Sequence, residues 1–393
     1  MLRQITPDII YIGTDDLNSH LFESQYPIPD GMAYNSYIIK DDKTAILDTS
    51  DKATAEDWKD NLVTALKGVK PDYLVVHHLE PDHSALIAWA MKEFPGLTLV
   101  ASARAIAMVP QFFEGIELEG RTLAVKEGDV LDLGRHSLQF FGAPMVHWPE
   151  VMVSFEAATG TLFSADAFGK FGALSKCGYT DADDDDWACE GRRYYFNICG
   201  KYGGPVQTLL KKLAGVEVKR ICALHGPILE NPAEFVKLYD IWSSYGVESE
   251  GVFVAYASIH GGTAAAAERF AGVLKEKGCP KVVLTDLSDC DQAEAVEDAF
   301  RYGKLVVAAS SYDAGLFPPA YSFIHHLQEK AWQKRRVGFI ENGSWAPSAG
   351  RVMKEMFSSM KEVELVEPLV TIKSTLKEAD VPALEALADA ILK

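Results

Sequence analysis

The stretch VVHHLEPDHSAL, residues 75–86, sets three histidines, a glutamate and an aspartate within seven positions directly after an apolar run. Imidazole nitrogens and carboxylate oxygens gathered at the end of a strand are metal-ligand chemistry. In an extended strand His78, Glu80 and Asp82 would share one face, because side chains alternate with period two. Pro81 cannot donate to a strand ladder, so the sequence predicts a loop here, on which Asp82 and His83 point to different places. Such a loop permits two metals instead of one.

A closed site takes about four protein ligands, so a second metal needs donors from elsewhere in the chain. His147 in APMVHWPEV, Asp166 in TLFSADAFG and His225 in RICALHGPI each follow a short apolar run and precede turn-like residues. That pattern predicts that all three stand on one rim of a sheet with the first cluster. Four imidazoles and three carboxylates form a harder, more anionic set than a histidine-rich zinc site. His20, His77, His136, His325 and His326 lack this company and read as core or surface residues. The six cysteines show no C-x-x-C spacing, so no zinc knuckle, iron–sulfur cluster or rubredoxin-type centre is expected. Any iron in this chain must use nitrogen and oxygen.

The elements that must position these groups fall into two kinds. The first 245 residues or so consist of short β-branched runs, among them YNSYIIK, TAILDTS, YLVVHH, TLVAS and VMVSFEA, with few helical stretches. Residues 53–68 and 84–94 do carry helical periodicity, the former with Trp58, Leu62, Ala65 and Leu66 on one face. Packed sheets with outer helices are expected. From about residue 250 the runs GVFVAYAS, KVVLTDLS, KLVVAASS and RRVGFIENGS alternate with helical segments, the pattern of a doubly wound parallel sheet. The polar stretch 243–251 reads as a linker, and two domains, 1–247 and 248–393, suit a chain of 393 residues. The acidic run DADDDD, residues 181–186, reads as a solvated loop.

The second domain carries its own signal. After its first strand comes SIHGGT, residues 258–263, then an alanine-rich helix. Glycines and hydroxyls at a helix N-terminus make an anion site from backbone N–H groups and the helix dipole. ASSYDAGLFPP, residues 309–319, and ENGSWAPSA, residues 341–349, follow the third and fourth strands, where a doubly wound sheet opens its ligand crevice.

The formal net charge of −18 argues against a nucleic-acid partner, which needs clustered Lys and Arg, and against an anionic membrane surface. No run approaches the 18 or so apolar residues of a membrane span, and the start MLRQITPDIIYIG lacks a signal-peptide core. A cytoplasmic location is expected.

The spacing His78-x-Glu80-x-Asp82-His83, followed by His147, Asp166 and His225, resembles the metallo-β-lactamase fold as it occurs in the flavodiiron proteins. Hydrolases of that fold typically carry a second histidine where Glu80 stands, and flavodiiron proteins share this departure. The resemblance implies one iron on His78, Glu80 and His147, another on Asp82, His83 and His225, and Asp166 as the bridge. It implies an N-terminal αββα metallo-β-lactamase-like sandwich followed by a flavodoxin-like domain that binds FMN. GMAYNSYIIKDDKTAILDTS, residues 31–50, and GRRYYFNI, residues 191–198, look like segments of the same family, and Tyr194 or Tyr195 could place a hydroxyl near the metals.

For the flavin, the resemblance gives the phosphate to the loop Ser258, Ile259, His260, Gly261, Gly262 and Thr263. Ser310, Ser311, Tyr312, Asp313, Ala314 and Gly315 would flank one side of the ring. Gly343, Ser344, Trp345, Ala346, Pro347 and Ser348 would flank the other, with Trp345 stacking. The chain departs from the family at His260, where a bulky residue such as tryptophan is common, and at Ala346-Pro347, where Gly-Trp is common. The activity implied is reduction of dioxygen to water, of nitric oxide to nitrous oxide, or of both. Electrons would reach the irons through FMN from an external donor such as rubredoxin, in a head-to-tail homodimer or a dimer of dimers. A metal-dependent hydrolase fused to a flavodoxin domain, and a non-enzymatic FMN electron carrier, are the alternatives.

Overall fold

The computed structural model describes residues 2–184 and 187–393, so the last two aspartates of the acidic run 181–186 lie outside the described residues. The chain forms two compact units, one of Met1–Tyr195 with Tyr202–Asp240, the other of Phe196–Lys201 with Ile241–Lys393.

In the first unit, period-two alternation decides which way each strand faces. A seven-stranded sheet runs Arg3–Gln4, Ile9–Tyr11, Tyr37–Ile39, Ala45–Leu47, Tyr73–Val75, Thr98–Ser102 and Thr122–Val125 in spatial order. Tyr37, Ile39, Leu47, Val75 and Val100 point to one side, where they pack with Leu131, Leu138, Phe140, Met152, Phe163 and Cys222. Those partners belong to a second, five-stranded sheet of Val130–Asp132, Ser137–Gly142, Met152–Glu156, Thr161–Phe163 and Arg220–Cys222. Residues one step out of phase, Ile38, Ile46, Leu74 and Leu99, face the opposite side and pack with Trp58, Leu62, Ile87, Ala90 and Met91 from the helices Ala55–Leu66 and Ile87–Glu93. The helix Gly203–Leu213 packs on the second sheet at Ser137–Gly142. The expected αββα sandwich follows directly from this two-sided burial.

Strand ends carry the polar groups singled out above. Tyr73–Val75 ends before His78, Thr161–Phe163 before Asp166, and Arg220–Cys222 before His225, while His147 lies between Ser137–Gly142 and Met152–Glu156. One local expectation needs correction. Asp82 and His83 sit not on an irregular loop but in a single helical turn, Pro81–Ser84, with Pro81 at its first position. Proline's fixed φ suits the start of a helix, where its missing N–H has no role. The turn swings Asp82 and His83 away from the line of His78 and Glu80.

The second unit is a parallel sheet in the spatial order Val282–Asp286, Ser249–Ala257, Tyr302–Tyr312, Arg336–Asn342, with Glu364–Leu365 and Val370–Ile372 both pairing beside the last of these. In chain order this is 2-1-3-4-5, the doubly wound arrangement of flavodoxin-like folds. Helices Gly262–Glu276 and Val381–Leu392 bury Ala266, Phe270, Leu274, Leu384 and Leu387 against Val252, Val254, Val306 and Ile340 on one face. The first strand begins inside the polar stretch 243–251, at Ser249.

Candidate functional site

All seven predicted ligands converge. Glu80 Oε2 stands 3.1 Å from His78 Nε2 and 2.9 Å from His147 Nε2. Asp166 Oδ2 lies 3.3 Å and 3.2 Å from the same two nitrogens. On the other side, His83 Nε2 and His225 Nε2 are 3.0 Å apart, and each is 3.3 Å from Asp82 Oδ2. The second oxygen of Asp166, Oδ1, lies 3.3 Å from His83 Nε2 and 3.7 Å from His225 Nε2. Asp166 therefore turns one oxygen to each group.

These distances fit two cations. Donors about 2.1 Å from a shared ion lie about 3.0–3.4 Å from one another, close to the separations within each group. Neither oxygen of Asp82 or Asp166 accepts a hydrogen bond of good geometry, although all four atoms are buried. Buried carboxylate oxygens left this way are costly unless a cation takes them. Glu80, Asp82 and His147 retain 14, 9 and 9% side-chain exposure, against 0–1% for the other four, so the pair of sites opens on that side.

Supporting contacts aim the imidazoles. His225 Nδ1 faces the Ala33 carbonyl at 2.8 Å. A carbonyl only accepts, so Nδ1 carries the proton and Nε2 keeps its lone pair for a metal. His78 Nδ1 faces Glu150 Oε1 at 2.9 Å, and the same oxygen accepts the Leu79 N–H at 3.0 Å. Glu150 is fully shielded from solvent. It stands three residues after His147, within the APMVHWPEV stretch, yet sequence reasoning passed it over. A carboxylate so close to a candidate ligand was the available signal. Trp148 meets the His78 ring edge-on at 5.1 Å.

Tyr194 lies near the centre, its ring 5.4 Å from that of His225. Tyr195 instead packs against Tyr239 at 5.0 Å. His77 is held in the core between Asp48 Oδ2 at 2.6 Å and Ser154 Oγ at 2.7 Å. His136 is buried between Glu156 and Asp8.

Charge in so tight a cluster shifts proton affinity. Burial pushes the Asp82 carboxyl up to about 7; His83 opposes the rise, and Glu80 and Asp166 add to it. Burial also opposes a proton on His147, but the carboxylates of Asp166 and Glu80 beside it outweigh that and hold the imidazole up at about 9. Asp166 is held well below the usual carboxylate range despite its burial, by His78, His147 and His83.

In the second unit the three predicted loops line one cavity of about 820 Å³, within the usual range for cofactor-sized ligands. Ser258, Ile259, His260, Gly262 and Thr263 form one wall, Ser310, Ser311, Tyr312, Asp313 and Ala314 a second, and Gly343, Ser344, Trp345, Ala346, Pro347 and Ser348 a third. Gly261 caps the helix Gly262–Glu276 in a left-handed conformation, φ 84°, and Gly315 accepts the Ser348 hydroxyl. Neither of these two glycines lines the cavity. Asn342, Ser374 and Thr375 complete the lining. The Asn342 amide and the Ser374 backbone join by two hydrogen bonds, 2.9 and 3.1 Å. Sequence reasoning missed this fourth loop, because the strand Val370–Ile372 before it is only three residues long. The end of the cavity at the helix Gly262–Glu276 suits an anion, because a helix N-terminus offers backbone N–H groups, and the Thr263 and Ser310 hydroxyls there are hydrogen-bonded to each other at 2.8 Å. Trp345 stands 91% exposed at the mouth, an open aromatic face on which a planar ring can stack. A cavity of about 950 Å³ in the first unit is lined by none of the seven ligands.

A metal-ligand set at the strand ends of an αββα sandwich, joined to a doubly wound domain with a phosphate-type loop, defines a two-domain protein of the metallo-β-lactamase-like class. Residues 32–226 match a family model described as ODP family beta lactamase. A putative diflavin flavoprotein of Nostoc sp. is 28% identical over 385 residues, covering 95% of this chain, and an anaerobic nitric oxide reductase flavorubredoxin of Aliivibrio fischeri is 25% identical over 351 residues, covering 88%. The chain spans 63% of the length of the Nostoc protein and 61% of a Synechocystis relative, and 70% of the Aliivibrio one. Among solved structures, the rubredoxin oxygen:oxidoreductase of Desulfovibrio gigas superposes with a TM-score of 0.89 at 24% identity, covering 100% of this chain and 98% of that one. The flavodiiron protein of Giardia intestinalis gives 0.90 at 21% identity, covering 99 and 96%. Over nearly its whole length the chain is thus similar to flavoproteins and flavorubredoxins in sequence, and it shares its fold with the flavodiiron proteins of known structure.

Three outcomes are expected. Glu150→Ala should weaken metal binding by about 10- to 100-fold, measured by competition with a chelator, because His78 loses the group that orients it. Uptake of divalent metal should release protons, and affinity should climb with pH up to about 9, where His147 no longer has to shed its proton; calorimetry in buffers of different ionisation enthalpy reads this. Gly262→Ala should abolish ligand binding in the second unit, since a Cβ there would meet the Ser374 carbonyl oxygen at 2.1 Å; flavin content after reconstitution checks it.

Proposed function

We propose that this chain is a reductase of small diatomic oxidants, reducing dioxygen to water, nitric oxide to nitrous oxide, or both, at a diiron centre fed by FMN. The observation that carries the reading is the division of Asp166 between two three-residue groups, His78, Glu80 and His147 on one side and Asp82, His83 and His225 on the other. Each group would hold one iron, with Asp166 as the bridge. FMN would sit in the cavity of the second unit, its phosphate at Ser258–Thr263 and its ring between the loops that carry Tyr312 and Trp345. Two ferrous ions and one fully reduced FMN would together supply the four electrons that dioxygen needs to become two waters.

The chain's own residues do the rest. Glu80, Asp82 and His147, the more exposed ligands, border the side from which a gas can enter. The Ala33 carbonyl and Glu150 keep His225 and His78 in the metal-binding tautomer. Three carboxylates balance most of the charge of two divalent cations, so the centre stays near neutral in a buried setting. Mixed imidazole and carboxylate donors with open positions are a ligand type that suits non-haem iron.

The names of the relatives support the donor and the gases: one is a rubredoxin oxygen:oxidoreductase, others are anaerobic nitric oxide reductase flavorubredoxins. An external donor of the rubredoxin type accordingly feeds the flavin. Residues 1–247 and 248–393 act as the diiron and FMN modules, and two chains pair head to tail so that one flavin serves the partner's irons. The protein works in the cytoplasm; no helix among the described residues is long and apolar enough to cross a membrane.

Protein purified anaerobically from iron-supplied cells should hold about two irons and one FMN per chain, by mass spectrometry and absorbance. With chemically reduced rubredoxin it should consume dioxygen or nitric oxide, followed by electrodes for each gas. Two zincs that persist despite iron supply, with ester or thioester turnover and no gas consumption, would overturn the reading.

A further inference from the structure

His225 stands in the loop that follows the strand Arg220–Cys222, and the segment 33–37 grips that loop along its length. The Ala33 carbonyl accepts from the imidazole itself. The Asn35 N–H donates to the Leu224 carbonyl at 2.8 Å, and the Tyr37 hydroxyl donates to the Ala223 carbonyl at 2.8 Å. The Asn35 side chain, fully buried, spans further than either. Its Nδ2 donates to the Ala223 carbonyl at 2.9 Å and to the Gly226 carbonyl at 2.8 Å.

Carbonyl oxygens only accept, so the amide must turn its NH2 group towards this pair, and both of its protons are then used. One planar group thus joins the residue two before His225 to the residue directly after it. Gly226 turns the chain there with φ 75°. The Leu224 N–H, next to the ligand on the other side, donates to the Ala165 carbonyl at 2.9 Å, one residue before Asp166. A ligand carried on a turn can swing with its backbone, and an amide that pins both ends of the turn removes that freedom before a metal arrives. Without Asn35 the buried Gly226 carbonyl would lose the donor that satisfies it, a cost that favours rearrangement of the turn.

We propose that Asn35 is a positioning residue for one metal of the pair: its amide holds the turn 223–226 so that His225 Nε2 stands beside Asp82 and His83, and it leaves the group of His78, Glu80 and His147 untouched. This rests on the proposed function only in taking both groups as metal ligands. Asn35 forms no hydrogen bond to the imidazole itself. It therefore governs how firmly that metal is held, while the Ala33 carbonyl continues to set which ring nitrogen carries the proton.

Cobalt(II), whose visible absorbance reports its ligands, tests the proposal in the full chain without turnover. In a His147→Ala background, which disables the other group, adding Asn35→Ala should weaken cobalt binding about tenfold, at the lower end of what loss of a supporting contact costs a metal site. In a His225→Ala background the same substitution should leave cobalt affinity and spectrum unchanged, because the ligand it positions is already gone. Asn61→Ala removes a comparable amide, one that donates to the Gly13 and Ile12 carbonyls at 3.0 and 3.3 Å, and should change neither background. Equal weakening in both backgrounds overturns the proposal, because Asn35 then serves the fold at large. So does unchanged affinity in the His147→Ala background. Should Asn35→Ala not fold, Asn35→Ser, which keeps one short donor, takes its place, and failure of both to fold also overturns the proposal. A parent chain that binds no cobalt overturns it together with the functional reading. A parent chain that binds two cobalts but, loaded with iron, reduces neither gas sinks the functional reading alone, and the comparison of backgrounds still decides the role of Asn35.

Discussion

Three carboxylates within a few ångströms of one another, nearly all of their surface buried, repel strongly unless positive charge is set between them. Everything about the first unit serves that constraint. Four imidazoles alternate with Glu80, Asp82 and Asp166, and Asp166 spends one oxygen on each side. The cluster can be satisfied by protons on the histidines or by cations among them, and the raised proton affinity of His147 and Asp82 shows how close that competition is. A sandwich with two independent layers of core around the ligand-bearing strands gives the stiffness to hold it.

Most of this was legible from the chain because polar residues that end apolar runs are conspicuous. His78, Asp166 and His225 each stop a buried strand, and a period-two reading places them on a common rim. The αββα layering was legible for the same reason: Tyr37, Ile39 and Leu47 alternate with Ile38 and Ile46, both sets apolar, which demands cover on two faces. Glu150 was less legible. It acts through a tertiary contact with His78, 72 positions away, and its place three residues after His147 was the one local sign of it. The turn at Pro81 was misread because proline forbids a strand ladder and also favours the first position of a helix, and the sequence alone does not choose between loop and helical turn.

The second unit shows the opposite balance. Its loops were placed by topology more than by residue type, since any doubly wound sheet gathers the segments after its first, third and fourth strands. The loop of Ser374 and Thr375 follows a three-residue strand and escaped notice, although its backbone closes the cavity on Asn342. Glycine at 262 is required by that closure, not by flexibility, because the chain there lies against the Ser374 carbonyl.

The two imidazole supports differ in kind. His78 is oriented by a side chain, Glu150, whereas His225 is oriented by the main-chain carbonyl of Ala33. Substitution can alter the first and cannot delete the second. Over evolutionary time, or in a laboratory selection, the electronic character of one metal position is therefore adjustable by a single codon, while its neighbour is shielded from such tuning. An engineer who wants the two halves of the centre to differ has a handle on only one of them.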